Sequence, residues 1–158
     1  MTSSKNTRII YTAEAHVTGG RAEGHGRTSD GALEVDLRVP EEMGGSGGGT
    51  NPEQLFAVGY AACFESALGA VARRRKLDAG DVAIDSKVML IPGDDRTYKL
   101  AVALAVSLPS VEDPEQAVDL VRAAHEVCPY SNATRGNIDV ALSVNGRDVE
   151  QRSDSVAA

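Results

Sequence analysis

The chain has 158 residues, 42% of them apolar, and a formal net charge of −7. That length and apolar content suit one domain, residues 1–158, with a genuine core, and exclude a disordered chain. The acidic balance leaves no basic face for nucleic acid, and with aromatics at 4% and no Trp the core must be built from Ala, Val and Leu.

Residues 1–16 (MTSSKNTRIIYTAEAH) contain no long apolar run and no small-residue cleavage pattern, so no signal peptide is expected. Residues 8–18 are β-rich, and Gly19-Gly20-Arg21 breaks them. GHGRTSDG continues the turn chemistry. Leu33, Val35, Leu37 and Val39 then alternate with Glu34, Asp36 and Arg38, the period of a half-buried strand. Residues 8–39 therefore suggest antiparallel pairing around a glycine-rich turn. GGSGGGTN at 44–51 is a flexible loop, and no Lys follows its glycines to make a phosphate-binding loop.

Asn51-Pro52-Glu53-Gln54 reads as a helix start, with Asn as cap and Pro in the first turn. The helix is expected to run to about residue 77, with Gly80 as its C-terminal cap. Its apolar stretch 55–72 carries Glu65 in the middle, which suits a buried helix better than a membrane span. The basic run Arg73-Arg74-Arg75-Lys76 sits where cations are favoured, at a helix C-terminus. Strands are expected at 82–91 and 98–108, joined by the turn PGDDR. Asp113-Pro114-Glu115-Gln116 opens a second helix to about 127, a last strand follows at 138–144, and the polar tail from about 146 is expected to fray. The order ββ–α–ββ–α–β gives an α+β domain with curved antiparallel sheet around a central helix. A helix apolar nearly all round needs cover on every side, more than one chain of this size supplies, so an intertwined homodimer is expected.

These features predict a soluble cytoplasmic protein with neither membrane nor nucleic acid as partner. In that setting the sequon Asn132-Ala133-Thr134 has no glycosylation role, and two cysteines are catalytic, redox-active or inert rather than structural staples. Cys128 continues the stripe Ala117, Val121, Ala124, and Cys63 lies on the stripe Phe56, Gly59, Ala67, Ala70. Both point inward. Pattern alone favours core filler, because free Cys packs as a small hydrophobe and burial raises its pKa. Redox chemistry needs a cation nearby. Arg21 in its glycine turn and Glu53 in the first helical turn are the charged candidates; taken singly, they read as a solvated loop Arg and a dipole-favoured carboxylate.

Two long motifs alter that balance. TNPEQLFAVGYAACFESAL (50–68) and AHEVCPYSNATRGNIDV (124–140), with YTAEAHVTGGR (11–21), closely resemble the organic hydroperoxide resistance proteins, the Ohr branch of the Ohr/OsmC family. The resemblance runs nearly the whole chain through Val144, and CPYSNATRGN favours that branch. It implies the OsmC-like fold and a thiol peroxidase that reduces organic hydroperoxides to alcohols. By that resemblance Cys63 is the peroxidatic cysteine, Cys128 resolves it as a Cys63–Cys128 disulfide, and Arg21 and Glu53 are the catalytic Arg and Glu. No bound cofactor or metal is implied, and the reductant is an external dithiol, a lipoylated protein. Pro129 is expected to end the second helix, with the following turn formers giving Cys128 freedom to move.

Glu53 and Cys63 are ten residues apart, roughly 15 Å along a straight helix and about 80° apart around it. They cannot share a site within one unbroken helix. Either the helix breaks near Gly59, or each site takes Glu53 from a partner subunit, the reading favoured here. Two rivals remain: a metal site of Cys63, His125 and Cys128, for which no CxxC spacing is present, and a non-catalytic binding protein of the same fold.

Overall fold

The computed structural model describes residues 7–151. Its architecture is α+β, with two sheets and a central helix. The chain forms two compact units, one ending at Pro52 and the other beginning at Glu53.

The first unit is a three-stranded antiparallel sheet of β1 (Ala15–Thr18), β2 (Glu23–Thr28) and β3 (Glu34–Arg38). The antiparallel pairing matches expectation, but the glycine-rich EGHGRT is itself a strand rather than a turn. Its glycines are what let it pair. Gly24 lies opposite Leu37, whose Cβ and Cδ1 would be 3.0 Å from any Cβ added at that glycine. Gly26 faces Val17 and Leu37 at ordinary contact distance. Strand glycines here serve close approach, not chain reversal. Residues 8–14, read as β-rich from their composition, form no strand.

The second unit starts with α1 (Pro52–Arg74) and continues through β4 (Ala83–Pro92), β5 (Tyr98–Ser107), α2 (Pro114–Val127), α3 (Pro129–Thr134), β6 (Val140–Val144) and β7 (Arg147–Val149). α1 is one continuous helix, which removes a break near Gly59. It is long and apolar enough to cross a membrane by composition, yet Tyr60, Phe64, Ala67, Leu68, Val71 and Ala72 are buried in the core. It ends earlier than expected. Lys76, with φ 56°, takes the left-handed position usually held by glycine, and Leu77 N–H reaches back to Ala72 O at 2.9 Å. Leu77 then packs against the core, which offsets the strain at Lys76. Gly80 belongs to a separate turn, where its N–H binds Asp78 Oδ1 at 2.9 Å. Arg73, Arg74, Arg75 and Lys76 are exposed, as a solvated helix end requires.

The β4–β5 hairpin is antiparallel, with its turn where PGDDR places it. β5 and β6 pair in parallel, so the chain must cross over between them, and that crossover consists of α2 and α3. Asp113 caps α2, accepting from Glu115 N–H at 3.0 Å. The residues after Gly146 do not fray at once. Asn145 (φ 49°) and Gly146 (φ 81°) both take the left-handed conformation, as a tight hairpin turn demands, and β7 pairs with β6 and buries Val149. One core joins α1, β5, α2, β6 and β7, with Tyr60, Phe64, Leu68, Leu104 and Leu120 as its large fully buried members.

Candidate active site

α1 and α2 each carry one cysteine into this core. Cys128 is fully buried, at the junction where α2 ends and α3 begins, and the stripe of Ala117, Val121 and Ala124 behind it is buried as its spacing required. The buried face of α1 is rotated slightly from the expected one. Tyr60, Phe64 and Leu68 are fully buried, and Cys63 sits at the edge of that face, half-exposed. Of the small residues on the predicted stripe, Ala67 joins the core and Gly59 leaves room for Tyr130.

Both cysteines are free thiols, and Cys128 is close enough to Cys63 to perturb its ionisation. The backbone N–H of Tyr130 also acts on the Cys63 sulfur. These neighbours act in opposite senses. Burial pushes the Cys63 thiol up, the Tyr130 amide pulls it down, and the Cys128 thiol adds to the upward push. Within this unit the balance is a thiol held above its ordinary value, so a reactive thiolate here requires an added cation.

Three aromatic rings, two from α1 and one from α3, cluster together. Phe56 meets Tyr60 edge-on at 5.9 Å, and Tyr130 lies 5.9 Å from Phe56 and 5.7 Å from Tyr60. Gly59 makes this possible, since a Cβ there would stand 2.9 Å from Tyr130 Oη. The absent side chain lets the Tyr130 ring close on α1, and that closure carries the Tyr130 amide to Cys63. From the sequence Tyr130 is expected to pack or pair beside Cys128 without a catalytic role; the signal for its place against α1 is a glycine four residues before a cysteine on a helix.

The segment after Cys128 differs from expectation in the same region. Pro129 does end α2, but it also opens α3, because proline suits a first helical position. α3 is anchored rather than loose. Ser131 Oγ is 2.9 Å from Tyr60 Oη and 2.8 Å from His125 Nδ1, and Thr134 Oγ1 is 3.1 Å from Tyr60 Oη. Arg135 donates to the His125 carbonyl and to Asn132 Oδ1. Burial holds His125 below its ordinary pKa, the Arg135 guanidinium adds to this, and Gln151 and Glu126 oppose it. His125 Nε2 is buried without a hydrogen bond, which fits a neutral ring protonated at Nδ1.

A pH dependence follows. The folded state binds the His125 proton more weakly than the unfolded chain does. The stability it confers is full above the unfolded value of about 6.5 and is lost as pH falls below it. Exposed His25 has the opposite sign, raised by hydrogen bonds to Asp36 and Glu34. Urea titrations of wild type and His125→Gln at several pH values cancel the His25 contribution. Wild type loses more stability than the variant between about pH 7 and about pH 5. Parallel curves would contradict this assignment.

Of the other predicted residues, Arg21 is half-buried in the turn between β1 and β2, and Glu53 is half-buried in the first turn of α1. On a continuous α1, Glu53 stands roughly 15 Å of helix rise from Cys63 of its own chain. The metal reading finds no support in the geometry: among the described residues no three His, Cys, Asp or Glu side chains group as ligands.

Residues 45–143 match the OsmC-like protein family. An organic hydroperoxide resistance protein of Xanthomonas axonopodis pv. citri is 52% identical over 141 residues, covering 87% of this chain and 96% of that one. The crystal structure of an organic hydroperoxide resistance protein from Legionella pneumophila superposes with TM-score 0.83 at 52% identity, over 87% of this chain and 98% of that one. The corresponding protein of Vibrio cholerae, solved with captopril in one of its active sites, gives TM-score 0.85 at 50% identity, over 91% and 98%.

Proposed function

The chain belongs to the OsmC-like family, in its organic hydroperoxide resistance branch, and on that footing we propose that it is a cysteine-based peroxidase that reduces organic hydroperoxides to alcohols. The observation that carries this is the pairing of two free thiols, one half-exposed on α1 and one buried at the α2–α3 junction, within reach of each other. The relatives named for hydroperoxide resistance support the same reading.

In this account the Cys63 thiolate attacks the distal oxygen of the peroxide. The O–O bond breaks, the alkoxide leaves and takes a proton as alcohol, and Cys63 becomes a sulfenic acid. The Cys128 sulfur then attacks that sulfenic sulfur, water leaves, and the Cys63–Cys128 disulfide forms. An external dithiol, a lipoylated protein, reduces the disulfide by thiol exchange. No bound cofactor takes part. Arg21 supplies the positive charge that the raised Cys63 thiol lacks, and Glu53 holds its guanidinium through a two-pronged hydrogen bond. Because α1 is continuous, Glu53 reaches the site of a partner subunit in a homodimer. Light scattering that returns the mass of one chain would rule this out. A protein of this kind acts in the cytoplasm against oxidative damage.

Phe56 and Tyr130, the two rings of this cluster that are not fully buried, favour an apolar peroxide over a small hydrated one. Each carbon group buried adds about 0.8 kcal/mol, so two already give about tenfold. Steady-state assays with dihydrolipoamide test the function: cumene hydroperoxide is consumed at least about tenfold more efficiently than hydrogen peroxide. Absence of turnover with either peroxide would overturn the proposal.

A further inference from the structure

Tyr60 precedes Cys63 by three residues on α1, and His125 precedes Cys128 by three on α2. Residues three apart lie on one helical face, a turn from each other. The Ser131 hydroxyl binds both of these residues, at 2.9 Å and 2.8 Å, and so ties the two cysteine helices together one turn behind both sulfurs. Its proton chain closes: His125 Nδ1–H donates to Ser131, Ser131 to Tyr60, Tyr60 to Thr134, and Thr134 to the Ser131 carbonyl at 3.3 Å. Ser131 and Tyr60 are fully buried, where an unmatched hydroxyl is costly. An apolar core would pack these helices without such a chain; what the chain adds is directional restraint.

Resting on the peroxidase reading, we propose that Ser131, bridging Tyr60 and His125, is a positioning residue that sets the Cys63–Cys128 separation for disulfide closure. It contacts neither sulfur and leaves peroxide attack at Cys63 untouched. Its step is the second one: Cys63–SOH and Cys128–SH give the disulfide and water.

The test separates the two steps in single turnover. Reduced Ser131→Ala and Tyr60→Phe are mixed with cumene hydroperoxide, and sulfenic acid and disulfide are followed by trapping and mass spectrometry. In Ser131→Ala closure slows about tenfold, the loss of roughly one hydrogen bond, while attack stays within about twofold of wild type. Sulfinic acid at Cys63 then accumulates under excess peroxide. Tyr60→Phe shifts closure in the same direction by less, since Ser131 keeps His125. Tyr60→Phe preserves the ring packing and decides the matter should Ser131→Ala not fold. A core control, Leu142→Val, lowers the melting temperature without changing the ratio of closure to attack. Closure within about twofold of wild type in the folded variants overturns the proposal. A second arm closes the pair with oxidised dithiothreitol instead of peroxide, and the variants again close more slowly. Wild type inert to peroxide but faster than the variants in this arm sinks the peroxidase reading and leaves Ser131 its role. Wild type that closes with neither oxidant sinks both.

Discussion

Cys63→Ser abolishes reduction of cumene hydroperoxide, a fall of about a thousandfold or more, because a serine hydroxyl neither ionises near neutral pH nor forms a sulfenic acid. Cys128→Ser behaves differently. It reduces one equivalent at the wild-type rate and then stops, because no second sulfur is available to close the disulfide. The two variants separate because Cys63 is the half-exposed sulfur and Cys128 the buried one. Rapid-mixing assays with a peroxide-consumption readout check both. Equal loss in the two variants, or full turnover in Cys63→Ser, would contradict the assignment of roles.

Arg21→Met has the second large effect. Burial and the Cys128 thiol both push Cys63 up, and the Tyr130 amide is the one opposing influence within its unit. On the proposed mechanism Arg21 supplies the cation that restores the thiolate. Its removal lowers the second-order rate with peroxide by about 10²–10³, the scale for losing one preorganised electrostatic contact in a site that excludes water. The sign is fixed: without the cation the thiolate is disfavoured, so the pH midpoint for alkylation of Cys63 by iodoacetamide moves upward. An unchanged midpoint and rate would remove Arg21 from the site.

Much of this site was legible from helical spacing. Ala117, Val121, Ala124 and Cys128 fall four, three and four apart, and that stripe is buried as read. The cap at Asp113 was equally plain, because an acidic cap followed by proline has few other uses. The details that escaped share one cause: local residue preference was overridden by what lies opposite. Gly24 looks like a turn residue but pairs in a strand, where Leu37 crowds the space a side chain would fill. Lys76 holds a glycine's conformation because Leu77 gains core contact just beyond it. The polar run SNAT looks like a turn, yet Ser131 and Thr134 face a tyrosine more than seventy residues earlier in the chain. Period and propensity carry no trace of such a partner. Arg21 and Glu53 were legible only as charged candidates, since each alone is an ordinary charged residue; the resemblance to a family is what attached catalytic roles to them.

The measurement that tests the central claim most directly mixes the reduced protein with one equivalent of cumene hydroperoxide and counts thiols, with the product mapped by mass spectrometry. The account predicts rapid loss of both thiols of each chain and a single Cys63–Cys128 disulfide. Survival of both thiols would show that the two cysteines are core residues and that this chain is not a thiol peroxidase.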